Sequence, residues 1–225
     1  MSIILSILAA AVVSYLLGSC NSSIIVVRLL KNEDIREHGS CNAGLTNTLR
    51  CYGKKCALIT LIGDLLKGVV AVCISRLICS LLEGGLSPDN DTHYIAYIAG
   101  FFAIIGHVFP LYYGFKGGKG VLVGVSTFIA VDPLLFFILI LVFAIVLSIS
   151  KYVSLASITA SSLCPVATFL LHYFVYGDSL SYSFLYTALA LIMASVVVYM
   201  HKTNIIRLKN GNENKFSFKS KHSKR

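Results

Sequence analysis

Seven apolar runs take up most of this 225-residue chain, at roughly 3–30, 56–82, 93–113, 121–131, 134–150, 153–176 and 182–200. Nothing else in the sequence constrains the fold as much. A helix needs about 20 apolar residues to cross the hydrocarbon core of a bilayer, and most of the runs approach or exceed that length. No remaining polar stretch is long enough to build a soluble domain. The composition agrees: 56% of residues are hydrophobic and 13% charged, where soluble domains average about 45–50% and about 25%. The expected fold is all-α, a polytopic membrane protein with seven transmembrane helices. Residues 1–208 are expected to form a single membrane domain and 209–225 a basic cytoplasmic tail.

The stretch 121–150 is divided at Asp132-Pro133, because proline breaks a helix interior and an aspartate is costly in hydrocarbon. With that division the charges fall on two sides. Of the nineteen Lys and Arg, all but Arg28, Lys67 and Arg76 lie in the 31–55 loop, in the 114–120 loop, at Lys151 or beyond His201. The connections on the other side hold Glu83, Asp89, Asp91, Asp132 and Asp178, with no Lys or Arg. Positive residues stay cytoplasmic, so the N-terminus is expected outside and the C-terminus in the cytosol. The net charge of +9 reflects this bias rather than nucleic-acid binding. The stretch from Lys215 to Arg225 is expected to rest on anionic lipid headgroups. Met1 to Leu17 has no positive segment before it, unlike a cleaved signal peptide, and reads as a retained first helix. The seven cysteines form no C-x-x-C pair and read as small buried hydrophobes.

The dense polar sequence lies on the cytoplasmic side. The first loop runs Gly39-Ser40-Cys41-Asn42-Ala43-Gly44-Leu45-Thr46-Asn47-Thr48-Leu49-Arg50. Small residues and glycines let backbone N–H groups approach a ligand closely. Ser40, Asn42, Thr46 and Asn47 supply hydrogen bonds, and Arg50 supplies a planar fork suited to phosphate. The second loop contains Gly106-His107-Val108-Phe109-Pro110 and Gly114-Phe115-Lys116-Gly117-Gly118-Lys119-Gly120. Two lysines among four glycines, just before a helix, describe a phosphate cradle. It is not a nucleotide P-loop, which would need glycine in place of Tyr113 and Ser or Thr in place of Gly120. His107 has no carboxylate beside it in sequence and reads equally as a structural histidine or a base. Ser154 and Ser157 follow Lys151. His201, Asn204 and Arg207 recur at three-residue spacing and would share a helix face. Asp64 and Lys67, three apart inside an apolar run, suit a buried ion pair that serves either function or helix packing.

Three runs taken together resemble the bacterial acyl-phosphate:glycerol-3-phosphate acyltransferases. They are Gly39-Ser40-x-Asn42-x-Gly44-x-Thr46-Asn47-x-x-Arg50, then Gly106-His107-x-x-Pro110 with Phe115-Lys116-Gly117-Gly118-Lys119-Gly120, then His201-x-x-Asn204-Ile205-x-Arg207-Leu208-x-x-Gly211-x-Glu213. The match extends over nearly the whole chain, in motif order and loop side. The resemblance implies seven helices in the bacterial inner membrane. It implies transfer of a fatty acyl group from acyl phosphate to glycerol 3-phosphate, giving lysophosphatidic acid for phospholipid synthesis. It also implies catalytic roles for Ser40, Arg50 and Lys119. Asn42, Gly44, Thr46, Asn47, His107, Gly117, Gly118, Gly120, Ser154, Ser157, His201 and Asn204 would line the substrate site, with His201 and Asn204 holding glycerol phosphate. Cys41 stands where the family usually has glycine, Lys151 where arginine is common, and Cys20-Asn21 where the pair is usually more apolar.

Such chemistry asks for no cofactor and no metal. Acyl phosphate is already activated, so no nucleophilic serine is needed, and positioning with charge neutralisation should dominate. Neither His107 nor His201 has an orienting carboxylate visible in sequence, so the hydroxyl proton is expected to pass to the substrate's own phosphate. The expected partners are the two small substrates and membrane lipids, without nucleic acid, and association with the enzyme that forms acyl phosphate is compatible with them. The rival class is a small organic-anion transporter. It would want inverted repeats and helices broken at the midplane, and no repeat is visible.

Overall fold

The computed structural model describes residues 2–82 and 93–216, and these residues contain helices and turns but no strand. Helices α1 (Ser2–Ser19) and α2 (Ser22–Lys31) make up the first apolar run, broken at Cys20-Asn21. The Asn21 side chain caps α2 by accepting from the Ile24 N–H at 3.2 Å, which satisfies one of the donors that every helix start leaves open. Helix α3 (Leu45–Leu82) is 38 residues long and turns at Gly53, where φ is 78° and ψ −173°. The second part of the 31–55 loop is therefore helical, and it carries Arg50. There follow α4 (His93–Val108), α5 (Val121–Val131), α6 (Pro133–Ser150), α7 (Val153–Leu170), α8 (Leu180–Met200) and α9 (Lys202–Lys209). The expected break at Asp132-Pro133 is present. The Asp132 carboxylate accepts from the Leu135 N–H at 3.0 Å, and Pro133 opens α6, where its missing N–H costs nothing.

Among the described residues, six segments are long and apolar enough to cross a membrane: Ile3–Lys31, Leu45–Leu82, His93–Tyr113, Pro133–Ser150, Val153–Val175 and Leu180–Met200. The remaining apolar run is α5, with only 11 residues. The chain is a multi-pass helical membrane protein. Helix α4 is its hub and packs against α1, α3, α5 and α8. Its contact with α1 is close enough to exclude side chains. A Cβ on Gly106 would overlap the Tyr15 carbonyl, and one on Gly18 the Ala103 carbonyl. Small residues allow this approach, and packing of that kind is what holds helices together where water supplies no driving force. Ala71, Val72, Tyr97, Ile104, Val123, Phe128 and Met193 form part of the buried cluster around α4. Helix α6 turns Phe137, Leu141, Ile145 and Ile149 outward, as lipid permits.

The bundle has two chemically distinct ends. At one end the start of α1 meets the end of α3 and the start of α4 through Ala10, Cys79 and Ile95. Tyr176, just past α7, donates to Asp132 at 2.8 Å there, and His172 pairs with Asp178 at 2.7 Å. The polar loops gather at the opposite end. Residues 210–216, which the sequence placed in the tail, return to that end, where the Phe216 N–H donates to the Lys151 carbonyl at 2.7 Å. The lipid contact expected of the tail beyond Phe216, and the acidic 83–92 connection, lie outside the described residues. None of the seven cysteines, all among the described residues, is in a disulfide: Cys56, Cys79 and Cys164 are buried as expected, whereas Cys20, Cys41 and Cys73 are exposed.

Candidate active site

Asn47, buried in the first turn of α3, holds the first loop in shape. Its Oδ1 accepts from the Ser40 N–H at 3.0 Å, and its amide nitrogen donates to the carbonyls of Ile35, His38 and Asn42 at 3.3, 2.9 and 3.2 Å. That uses its capacity for hydrogen bonds. Asn47 therefore fixes the loop that presents Ser40 and Asn42, and it lines the same cavity as they do. Arg36, which the sequence reading did not single out, ties this loop to the next. Its guanidinium donates to Asp34 at 2.8 Å and to the carbonyls of Tyr113 and Lys116 at 2.6 and 3.2 Å. The same guanidinium holds the Asp34 carboxyl well below the usual carboxylate range.

The second loop lies flat on the end of α4. The N–H groups of Gly117 and Gly118 donate to the carbonyls of Val108 and His107, each at 3.1 Å. A Cβ on Gly118 would overlap His107 Nε2 and the Ala43 carbonyl. These two glycines allow close backbone packing, and their amides are already used. Neither glycine is among the residues that line the cavity. Lys119 and Gly120 are the loop residues that reach the cavity.

The cavity has a volume of about 420 Å³. Ser40, Asn42, Gly44, Thr46, Arg50, His107, Lys119, Gly120, Ser154, Ser157, His201 and Asn204 line it together, so side chains from four separate stretches of sequence converge. Leu45, Leu49 and Leu61 of α3, Val121, Leu122 and Val125 of α5, Ile140 and Phe143 of α6, and Val153 of α7 form an apolar wall. A second chamber of about 360 Å³ adjoins it and shares Ser40, Arg50, Arg207 and Asn214; His38, Gly39 and Cys51 complete it. One region thus offers phosphate-binding groups and the other a surface for a hydrocarbon chain.

Glu213 organises the polar region. Its carboxylate accepts from Ser154 at 2.9 Å, Asn204 at 2.7 Å and Arg207 at 2.8 Å. Burial alone would raise its pKa, but those three hydrogen bonds, Arg207 foremost, hold it below the usual carboxylate value. Lys119 in turn donates to Asn204 Oδ1. Burial, with the positive charges of Arg207 and Arg50, lowers Lys119 to about 8, and Glu213 only partly offsets this. Glu213 stands at the end of the third motif, where its residue type alone gives it no part. Its available signal was to be the only carboxylate after Asp178 in an otherwise basic stretch.

Two histidines line the cavity. His201 donates from Nδ1 to the Val197 carbonyl at 2.7 Å. Burial outweighs that bond and, with Lys119 nearby, lowers it to about 4. The ring is neutral at pH 7, and Nε2 remains as an acceptor. His107 is not isolated, as the sequence had suggested. Its Nδ1 lies 2.9 Å from Lys67 Nζ and 3.8 Å from Asp64 Oδ1. Lys67 and Asp64 form the expected buried pair at 2.8 Å, and Lys67 also donates to the Cys20 carbonyl at 3.2 Å. Among the described residues no serine or cysteine lining the cavity is hydrogen-bonded to a histidine.

A model of a family described as glycerol-3-phosphate acyltransferase matches residues 8–211. A glycerol-3-phosphate acyltransferase of Fusobacterium nucleatum is 40% identical over 207 residues, covering 92% of this chain and 96% of its own. Another from Chlorobaculum tepidum is 38% identical over 234 residues, covering 97% and 100%. Two crystal structures of PlsY, an integral membrane glycerol 3-phosphate acyltransferase, share the fold. The glycerol 3-phosphate form superposes with a TM-score of 0.76 at 32% identity, covering 94% of this chain and 96% of that one. The lysophosphatidic acid form gives 0.74 at 30%, covering 95% and 96%.

Proposed function

The chain belongs to the glycerol-3-phosphate acyltransferase family, and we propose that it draws its acyl group from acyl phosphate at the cavity between the two loops. It is an acyltransferase that converts glycerol 3-phosphate to lysophosphatidic acid, a step of phospholipid synthesis. The observation that carries the donor assignment is a cationic chamber that shares residues with an apolar-walled cavity, in which no serine or cysteine among the described residues is hydrogen-bonded to a histidine. An acyl phosphate needs nothing more. Its phosphate is already a leaving group, so the protein has to hold two anions, align a hydroxyl with a carbonyl and exclude water.

Arg50, Lys119, Arg207 and Lys215 are the cations that line the cavity and can meet the two phosphates, with Ser40 and Asn42 held in the first loop by Asn47. The acyl chain lies along Leu61, Val125, Ile140 and Phe143. His201 Nε2 accepts a hydrogen bond from the glycerol hydroxyl and orients it. With a pKa of about 4, His201 is a poor store for the proton at pH 7. A phosphate group, whose second pKa is near 6, is the better base, so the proton leaves on phosphate.

Seven crossings follow if α5 counts as one. Its 11 residues rise about 16 Å, yet they connect Gly120 in the cavity to Asp132 at the far end, from which α6 returns to Lys151. The start of α1 lies at the far end and residues 202–216 at the cavity end, which supports a reading with the termini on opposite sides. Charge segregation then puts the cavity and C-terminus in the cytosol and the N-terminus outside, in the inner membrane of a bacterium. On this reading residues 1–208 are one membrane domain. The basic residues beyond Phe216 meet lipid headgroups, and the cytosolic face is where an acyl-phosphate-forming enzyme would dock.

Purified protein in detergent, given glycerol 3-phosphate with either acyl phosphate or acyl-CoA, tests the donor. Turnover with acyl phosphate alone is expected, and comparable rates with acyl-CoA overturn the assignment. Labelling of single cysteines placed at positions 88 and 212 in intact cells tests orientation. Reaction at 88 from outside is expected, and reaction at 212 instead reverses the topology.

A further inference from the structure

Donor and acceptor bookkeeping determines the form of the His107 ring. A lysine ammonium has three N–H donors and no acceptor. Lys67 donates to His107 Nδ1 at 2.9 Å and to the Cys20 carbonyl at 3.2 Å, and its ammonium stands 2.8 Å from Asp64 Oδ1 as an ion pair. His107 Nδ1 must therefore accept, so the ring hydrogen sits on Nε2. A methyl group on Gly118 would overlap that nitrogen, so glycine there leaves the room beside it, and His107 belongs to the cavity lining. Asp64, Lys67 and His107 are all buried, so the arrangement is shielded from water and from competing partners.

His107 lines a cavity that also takes in Lys119 and Gly120 of the polar loop and Val121 and Leu61 of the apolar wall. In an acyl phosphate the carbonyl is the group between phosphate and hydrocarbon chain, and it belongs where polar and apolar lining meet. We propose that His107 is a catalytic hydrogen-bond donor to the acyl carbonyl oxygen, locked as its Nε2–H form by Lys67 and Asp64. The proposal rests on the acyl-transfer reading of the cavity. It makes His107 the opposite of His201, which bonds through Nδ1–H and leaves Nε2 to accept.

The step balances without a further reactant. The glycerol hydroxyl oxygen bonds to the carbonyl carbon, and the carbonyl electron pair moves onto oxygen, where Nε2–H stabilises it. The pair returns as the bond from carbon to the phosphate oxygen breaks. Phosphate leaves with that bond's electrons, and the hydroxyl proton goes to phosphate. His107 donates a hydrogen bond throughout and never gives up its proton. Lys67 and Asp64 act through His107 and are positioning residues.

Two measurements test this. The first is the nitrogen NMR spectrum of protein labelled at histidine in detergent, with His107 assigned by comparison with His107→Gln. A protonated Nε2 and bare Nδ1 are expected, and a protonated Nδ1 overturns the proposal whatever the activity. In Asp64→Asn/Lys67→Met, which removes both charges together, the spectrum should move to a mixture of the two forms. An unchanged spectrum removes Lys67 from the mechanism. The second measurement is kinetic. Loss of one oxyanion donor costs about a hundred- to a thousandfold in kcat. His107→Leu should lose that much with KM for glycerol 3-phosphate nearly constant, and His107→Gln, which keeps an N–H, should recover about tenfold or more. Full kcat in folded His107→Leu, or equal losses in the two variants, overturns the proposal. Wild-type protein that is inactive with acyl phosphate refutes the donor assignment instead. The spectrum, and the same kcat comparison with whichever donor supports turnover, then still decide the role of His107.

Discussion

Raising the pH should titrate Lys119 inside the working range of the enzyme, and the effect on substrate binding can be worked from the structure. Burial and the neighbouring Arg207 and Arg50 bring this lysine from 10.5 to about 8. At about 1.4 kcal/mol per tenfold change, that is roughly 3 kcal/mol against the charged form in the empty site. Below pH 8 the ammonium is present and can hold a phosphate. As pH rises through 8 it is lost, while glycerol 3-phosphate stays dianionic, since its second ionisation lies near 6. KM for glycerol 3-phosphate should therefore be flat up to about pH 8 and rise about tenfold by pH 9. Lys119→Arg stays charged across that range and should abolish the rise, whatever it costs in absolute rate. Glu213→Gln removes the carboxylate that favours the charged lysine, so its rise should begin at lower pH. The assay is phosphate release under initial-rate conditions in buffers from pH 6.5 to 9.5, corrected for spontaneous hydrolysis of the donor. A wild-type KM still flat at pH 9.5, or a rise of the same size in Lys119→Arg, would refute the reasoning.

At pH 7 Glu213→Gln should lose about ten- to a hundredfold in kcat/KM, because a charge-assisted bond to Arg207 is worth about 1.5–3 kcal/mol. The comparison with wild type is made in detergent at equal protein. Asn47→Ala strands the Ser40 amide and three carbonyls, so we expect a destabilisation of about 3 kcal/mol, seen as a lower thermal unfolding midpoint together with lost activity. Gly118→Ala forces a methyl group onto His107 and the Ala43 carbonyl. Its activity should fall by about tenfold or more, an overpacking cost of about 1–3 kcal/mol, with the detergent-solubilised protein still monodisperse. Arg36→Ala frees the second loop from the first and should raise KM for glycerol 3-phosphate while leaving the helical content unchanged by circular dichroism.

The sequence by itself determined the class of the protein, because the bilayer is a severe filter. Backbone polar groups in hydrocarbon must be satisfied within the segment, so apolar runs of crossing length have few alternatives to helix. Asp132-Pro133 marked a break for equally local reasons, and its cap forms from residues next to it. Most of the site was legible too: Ser40, Arg50, Lys119, His201 and Asn204 stand in short motifs, and the cavity gathers them. The tertiary structure decided what each polar group has left to offer. Asn47 and the glycines at 117 and 118 look like ligand-binding groups in the sequence, yet their hydrogen bonds are taken by residues up to twelve positions away. His107 looked isolated because Lys67 and Asp64 are about forty residues distant in the chain. Glu213 looked like part of a tail until residues 210–216 folded back onto Ser154 and Asn204. A hydrogen-bonding group can serve a ligand only with the capacity its own protein leaves unused, and only the three-dimensional packing of the helices sets that remainder.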